Sequence, residues 1–158
     1  LAGLYAQTDP YLPLLLVDNF TVNTSRIPAL GTSQERTIHL PHPACFVVQK
    51  ALIRHRRESH KRDNDAAHIF DIALTTRPIW RELGDSLARI ERGPEFSPNW
   101  FKKARKILAR VFASPEAAGP VGVARVYRNF IGEGAAPSET AIHRAVAAFL
   151  KSLGLGTE

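Results

Sequence analysis

Repeated amphipathic helical periods after Pro43 restrict the fold of this chain more than any other feature of its sequence. Apolar residues recur there every three or four positions, and Pro, Gly and Ser residues interrupt the pattern at intervals. A helix with one apolar stripe is stable only when the stripe packs against another element. We therefore predict a mainly α fold, a bundle of about six helices, at about 43–59, 63–76, 78–92, 97–112, 123–131 and 137–153.

The β signals precede Pro41. The apolar run from Leu14 to Val17 predicts a buried strand within 11–20, with Asp18 at its end. Residues 21–34 have the composition of a loop, and 36–40 alternate polar and apolar residues as a short strand does. The expected fold class is therefore mainly α with a small N-terminal β element (α+β) that caps the bundle.

Size and charge set broad limits on function. The chain has 158 residues, of which 44% are hydrophobic, and this suits one compact domain with a modest core. Lys and Arg outnumber Asp and Glu by 21 to 15, so the formal net charge is +6. Such a surface attracts polyanions, or it only keeps a small protein in solution. Charge alone leaves both explanations open.

Cysteine content and hydropathy indicate the compartment. Cys45 is the single cysteine, which excludes an intramolecular disulfide and a zinc site built from four thiolates. No apolar run approaches the length of a bilayer span. We expect a cytoplasmic protein with no membrane partner. Because the chain begins at Leu1 and contains no Met, we also expect it to be a piece of a longer protein.

No complete catalytic constellation stands out in the sequence. Five histidines occur within 39–68, a density that could suggest metal binding, but no pair lies on a helix with a third ligand in register, so we interpret them as surface side chains. They are His39, His42, His55, His60 and His68. Cys45 begins an apolar helix and is interpreted as a buried structural thiol.

Lys50 is the most informative single residue. It shares a helical face with Phe46 and Ile53, so its ammonium is predicted to point to the core side rather than freely into water. The lysine stem either covers apolar surface while the charge escapes at an edge, or the charge meets a phosphate or carboxylate. Asp65 opens the next helix, where it supports the helix N-terminus or pairs with Arg54 or Lys50. We expect Lys50 and Asp65 to lie close together.

The stretch PHPACFVVQKALIRHRRESHKRDNDAAHIFD, at 41–71, resembles the later half of bacterial nucleotidyltransferase-fold proteins. These proteins belong to the minimal, abortive-infection-like branch of the polymerase-beta superfamily. The resemblance rests on a short strand, a Pro-x-Pro, the helix FVVQKALIRHR, a basic break and the KRDND that opens a second helix. It extends from about Leu12 to Leu74.

Two signature positions of that branch have counterparts here. A lysine in the middle of the first helix matches Lys50, and a basic residue four positions before an aspartate matches Lys61 and Asp65. Where the family has a further basic residue directly before the aspartate, this chain has Asn64.

The resemblance implies an enzyme that moves a nucleoside monophosphate from a nucleoside triphosphate to an acceptor, with two Mg²⁺ ions held by three carboxylates. Such ions bridge the phosphates and neutralise developing charge. Asp18 resembles the third carboxylate and is the candidate catalytic residue and metal ligand, although a strand-terminal Asp that enters a turn is an equal alternative. The candidate nucleotide-binding and phosphate-binding residues are Lys50, Arg54, Lys61 and Asp65.

The family's Gly-Ser motif and its two following aspartates would stand before Leu1. We therefore expect 1–40 to be the strand and loop remnant of a nucleotidyltransferase-like core, and 41–158 to be a helical domain that is inactive alone. The leading hypothesis is the C-terminal helical portion of a nucleotidyltransferase-like protein.

Two other functions stay open. Residues 123–131 and 138–153 could form a DNA-binding helix-turn-helix, with Thr140, His143 and Arg144 facing the duplex. Alternatively, the basic face could dock an acidic protein.

Overall fold

The computed structural model describes residues 9–23 and 36–156. Within them the chain forms one helical bundle with a two-stranded antiparallel sheet near its N-terminus, so the predicted fold class is confirmed. None of the helices in these ranges combines the length and the apolarity that a bilayer crossing needs. The elements in chain order are β1 (Phe20–Asn23), β2 (Thr37–Leu40), α1 (Pro43–Ile53), α2 (Ser59–Thr75), α3 (Trp80–Arg92), α4 (Pro98–Val111), α5 (Ala118–Ile131) and α6 (Glu139–Ser152).

The bundle has two groups of helices around one core. Helix α1 packs mainly on α4 and α3, whereas α2 packs on α5 and α6. Helix α6 contributes Ile142, Val146 and Phe149, each with no exposed surface, and their spacing places them on one face. Because α6 contacts α2, α3 and α5, this face joins the two groups.

The predicted strand within 11–20 is wrong. Leu12–Leu15 form a short 3₁₀ helix instead, with Pro13 in its first turn, where the missing N–H leaves no bond unmade. Only Leu14 of this run enters the core, while Leu12 and Leu16 are half or more exposed. An apolar run this short does not distinguish a strand from a helix by its periodicity. Pro13 disfavours a paired strand, because proline has no N–H to donate to a neighbouring strand.

The first strand begins later than predicted. Phe20–Asn23 was assigned mostly to a loop, yet it pairs with Thr37–Leu40, in a register that sets Phe20 opposite Leu40. The second strand agrees with the prediction for 36–40. Residues 24–34 of the predicted loop lie outside the described ranges. Whether 1–40 and 41–158 are separate units stays a prediction, although Tyr11 and Leu14 share the core of the helices.

Several helix boundaries differ from the prediction. The 3₁₀ turns and the first residues of some helices contain few buried apolar side chains, so the apolar period does not mark them. Helix α1 ends at Ile53 and continues as the 3₁₀ turn Arg54–Arg56, while α2 begins at Ser59. Helix α5 begins at Ala118, and Pro120 lies in its first turn, a position that tolerates proline. The spacing of Ala66, Ile69, Phe70, Ala73 and Leu74 predicts one buried stripe on α2, and Leu74 departs from it, since it is 51% exposed.

His42 was interpreted as a surface residue but is 2% exposed. Its ring stacks on Phe20 with centroids 5.6 Å apart, and its Nδ1 has no hydrogen-bond partner among the described residues. Burial lowers the pKa of His42, and Arg89 acts in the same direction, against the opposing effect of Asp18. The folded state therefore holds this ring neutral.

The buried His42 makes stability depend on pH. Between its folded pKa and the ordinary value of 6.5, the unfolded chain binds more protons, so the free energy of unfolding rises with pH across that window. We expect urea unfolding to show a lower stability at pH 5.5 than at pH 7.5, and His42→Phe to reduce that difference. His60→Gln, at a 68% exposed side chain, is the control. An unchanged pH dependence in His42→Phe would contradict the assignment.

Candidate functional site

Lys50 and Asp65 form an ion pair between α1 and α2. Lys50 lies in the last turn of α1, and Asp65 lies in the second turn of α2. The Lys50 Nζ is 2.8 Å from Asp65 Oδ1, and the two side chains are only 12% and 7% exposed. The prediction that these residues lie close together is confirmed. The lysine charge therefore meets a carboxylate rather than escaping at an edge.

Two further groups surround this pair. Arg57 Nε lies 3.4 Å from Asp65 Oδ2, and Lys50 Nζ lies 4.9 Å above the centre of the Phe46 ring. The ring offers its negative face to the ammonium. Asp65 Oδ2 accepts no hydrogen bond from the described side chains, since the contact with Arg57 has ion-pair distance but not hydrogen-bond geometry. The second carboxylate oxygen therefore keeps unused capacity to accept.

Arg54 lies beside this cluster, in the turn that follows α1. Its Nη1 donates to the backbone carbonyl of Arg62 at 3.0 Å. Burial is the main cause that lowers the pKa of Arg54, and the neighbouring cations of Arg62 and Arg110 add to it, while Asp63 and Asp65 oppose them. Positive charge from three elements thus converges here, which favours an anion in contact with it.

Lys61 does not join the buried cluster. Its Nζ is 3.5 Å from Glu58 Oε2, and both side chains are about half exposed or more. The neighbouring Asp63 pairs instead with Arg125 of α5 at 2.6 Å. Lys61 is therefore a solvated cation on the first turn of α2, within the same basic region as Arg54 but without a fixed contact to it.

Asp18 lies apart from these residues and does not end a strand. It follows the 3₁₀ segment with a positive φ of 49°, and its Oδ2 accepts a hydrogen bond of 2.6 Å from Ser86 Oγ of α3. Residues 9–23 and 36–156 contain no group of three His, Cys, Asp or Glu side chains that could hold a metal ion. This donor set does not fit the two Mg²⁺ ions that the resemblance implies. Catalysis and metal binding by Asp18 stay predictions.

Cys45 is buried, as predicted. It has no exposed surface, and burial raises the pKa of its thiol to about 12, with the charge of Asp18 acting in the same direction. A thiol that stays protonated at neutral pH is a poor nucleophile.

The residues of the predicted helix-turn-helix are only partly available. His143 contacts the backbone carbonyl of Phe112 through its Nδ1 at 3.1 Å, whereas Thr140 and Arg144 are exposed. An ion pair between Arg128 and Glu139 spans the connection between α5 and α6. DNA binding by this pair of helices stays a prediction.

Sequence reasoning missed three cations of the site. Arg57 contacts Asp65, and Arg62 and Arg110 adjoin Arg54. Arg110 lies 56 positions beyond Arg54 in the sequence, so only the packing of α1 on α4 reveals that they are neighbours. One sequence feature could have indicated Arg110: α4 contains no Asp or Glu, so the cations on its basic face have no acidic partner within the helix.

Comparison of the chain with protein-family models, with curated proteins and with solved structures found no match.

The buried ion pair yields a test of stability. Lys50→Met leaves Asp65 with Arg57 alone, and we expect it to lower the free energy of unfolding by about 2–3 kcal/mol, somewhat less than the removal of one partner from a fully isolated buried pair. Lys50→Met/Asp65→Leu should recover most of this loss, because no uncompensated charge stays buried. Urea unfolding measures both.

Lys61→Met is the matched control for this test. Its exposed pair with Glu58 is expected to contribute less than about 0.5 kcal/mol. Equal losses in Lys50→Met and Lys61→Met would show that the buried pair does not stabilise the fold.

Proposed function

We propose that this chain is the helical portion of a nucleotidyltransferase-like protein, and that the basic residues around the Lys50–Asp65 pair bind the phosphates of a nucleoside triphosphate. One observation carries the proposal. The two positions singled out by the resemblance lie on different helices, and their side chains meet at 2.8 Å in a nearly buried pair. A buried ion pair is costly to desolvate, so its placement beside exposed cations calls for a role beyond simple packing.

The proposal gives Lys50 and Arg54 different roles. Lys50 is a positioning residue, because its ammonium is engaged by Asp65 and by the Phe46 ring. Arg54 contacts phosphate, since its guanidinium stands among other cations and carries a planar fork of donors that suits phosphate oxygens. Lys61 adds a mobile point charge at the edge of the site.

Binding and transfer are separate in this proposal. Phosphoryl chemistry of this class uses carboxylates that hold metal ions against the reacting phosphates. The described residues offer cations for binding, whereas Asp65 is engaged by Lys50 and Arg57, Asp63 by Arg125 and Asp18 by Ser86. We therefore expect the purified chain to bind a nucleoside triphosphate weakly and not to transfer its nucleotidyl group.

Titration of ATP and GTP by calorimetry or fluorescence tests the binding role. Because the contacts are mainly between charges, we expect affinity to fall as salt rises. Arg54→Gln/Lys61→Gln should weaken binding by about tenfold, the loss expected from one or two charge-assisted hydrogen bonds. Arg77→Gln/Arg81→Gln removes the same charge from the start of α3 and should change affinity little. Equal effects of the two double variants would contradict a specific site.

A labelling experiment tests the expected lack of transfer. The purified chain is incubated with Mg²⁺, a triphosphate labelled on the α-phosphate and a cell extract, and no labelled product is expected. Labelling that is lost in Asp18→Asn, which keeps an acceptor for Ser86, would show that Asp18 takes part in catalysis and that the expectation is wrong.

A further inference from the structure

Helix α4 carries an exposed basic face, and only its last member, Arg110, stands near the proposed nucleotide site, through its effect on Arg54. Its members are Lys102, Lys103, Lys106 and Arg110, and we call them the α4 stripe. At 100° per residue these positions fall within one quadrant or little more of the helix surface, opposite Phe101, Ala104 and Leu108, which are buried. All of the stripe residues are exposed.

The stripe residues form no ion pair with a carboxylate of the described chain. Helix α4 itself contains no Asp or Glu. Arg105, on the adjoining side of the helix, differs from the stripe residues because it has an acidic partner. It forms a two-pronged contact with Glu91 of α3 and donates to the Gly154 carbonyl at 2.8 Å.

The arrangement works against the stability of the helix itself. Like charges at i,i+4 repel, and this applies to Lys102 with Lys106 and to Lys106 with Arg110. The helix dipole favours only Arg110, in the last turn, because Lys102 and Lys103 lie beyond the first turn of α4 and Lys106 lies in its middle. Intramolecular stabilisation therefore does not account for the stripe, whereas an external row of negative charges would.

The stripe continues onto the neighbouring elements. Arg110 lies close enough to Arg54 to act on its pKa, although Asp63 and Asp65 act on Arg54 in the opposite direction. Arg54 in turn donates to the Arg62 carbonyl, so cations of α4, of the 3₁₀ turn and of the start of α2 lie in one region. From Lys102 to Arg110 the helix advances by about 12 Å. This is a linear array of cations on a rigid helix, which is the geometry of a regular phosphate backbone rather than of one small anion.

We propose that the α4 stripe binds the phosphate backbone of a nucleic-acid duplex without reading its sequence. A duplex fits better than a single strand, because single-strand sites add exposed aromatic rings on which bases stack. The two aromatic residues that precede the stripe are not available for stacking, because Phe101 is fully buried and Trp100 packs against Tyr11, with ring centroids 5.1 Å apart, and against Phe96. The proposal stands independently of nucleotide binding at the Lys50–Asp65 pair.

The test measures anisotropy of labelled 20-base-pair duplexes, one of DNA and one of RNA, from 50 to 200 mM salt. With about four or five phosphate contacts, log affinity should fall against log salt with a slope of about −4. Lys103→Gln/Lys106→Gln should reduce that slope by about 2 and weaken binding at 100 mM salt by about tenfold. Binding of one duplex type alone would assign the stripe to that helical form.

Arg77→Gln/Arg81→Gln has the same net charge and should leave the slope unchanged. Because Lys103 and Lys106 are exposed, their replacement should leave the affinity for ATP unchanged, which separates this proposal from the nucleotide site. The melting temperature should stay the same or rise slightly, because the repulsion at Lys106 is removed. Three results would overturn the proposal: no duplex binding at 50 mM salt, an equal loss in the control variant, or tighter binding of a single strand of the same sequence.

Discussion

The Lys50–Asp65 ion pair is the contact on which the arrangement of the candidate site depends. Helix α1 belongs to the group that packs on α3 and α4, and α2 belongs to the group that packs on α5 and α6. The pair joins the two groups at a point where both side chains are largely removed from water. Removing two charges from water is costly, and the cost is offset only when the geometry is close and further partners contribute. Here Arg57 and the Phe46 ring are those partners.

The position of this pair also determines where the basic residues go. Residues 54–58 connect α1 to α2, and the ion pair fixes the two helices on either side of that short connection. Arg54 is therefore held against the start of α2, where it donates to the Arg62 carbonyl, and Arg57 is held against Asp65. A flexible connection would let these cations spread apart into water, as charge repulsion favours. The fold instead keeps them together.

The bundle and the central pair could be predicted from the sequence because both follow from helical spacing. Phe101, Ala104 and Leu108 recur on one face of α4 and are buried, and Lys50 lies on the same face as Ile53. The N-terminal segment could not be predicted in this way. Leu14 to Val17 is too short to show a period, and whether it pairs depends on Pro13 and on the contact of Leu14 with the core. The prediction for His42 was wrong for a related reason. Its ring stacks on Phe20 of β1, a contact that its neighbours in the sequence do not reveal.

The cations around Arg54 come from distant parts of the chain. Local sequence patterns therefore reveal the basic residues of each segment, but not that the segments lie side by side. The basic run after α1 is visible directly, as is the acid-free face of α4. Their proximity becomes visible only in the fold, where α1 packs on α4 and the charge of Arg110 acts on Arg54. Each run separately is a solvated helix face, and such faces are common. When the two runs lie in one region, their potentials add, because cations separated by less than a Debye length of about 8–10 Å are only partly screened from an approaching anion. Asp63 and Asp65 reduce this sum near Arg54.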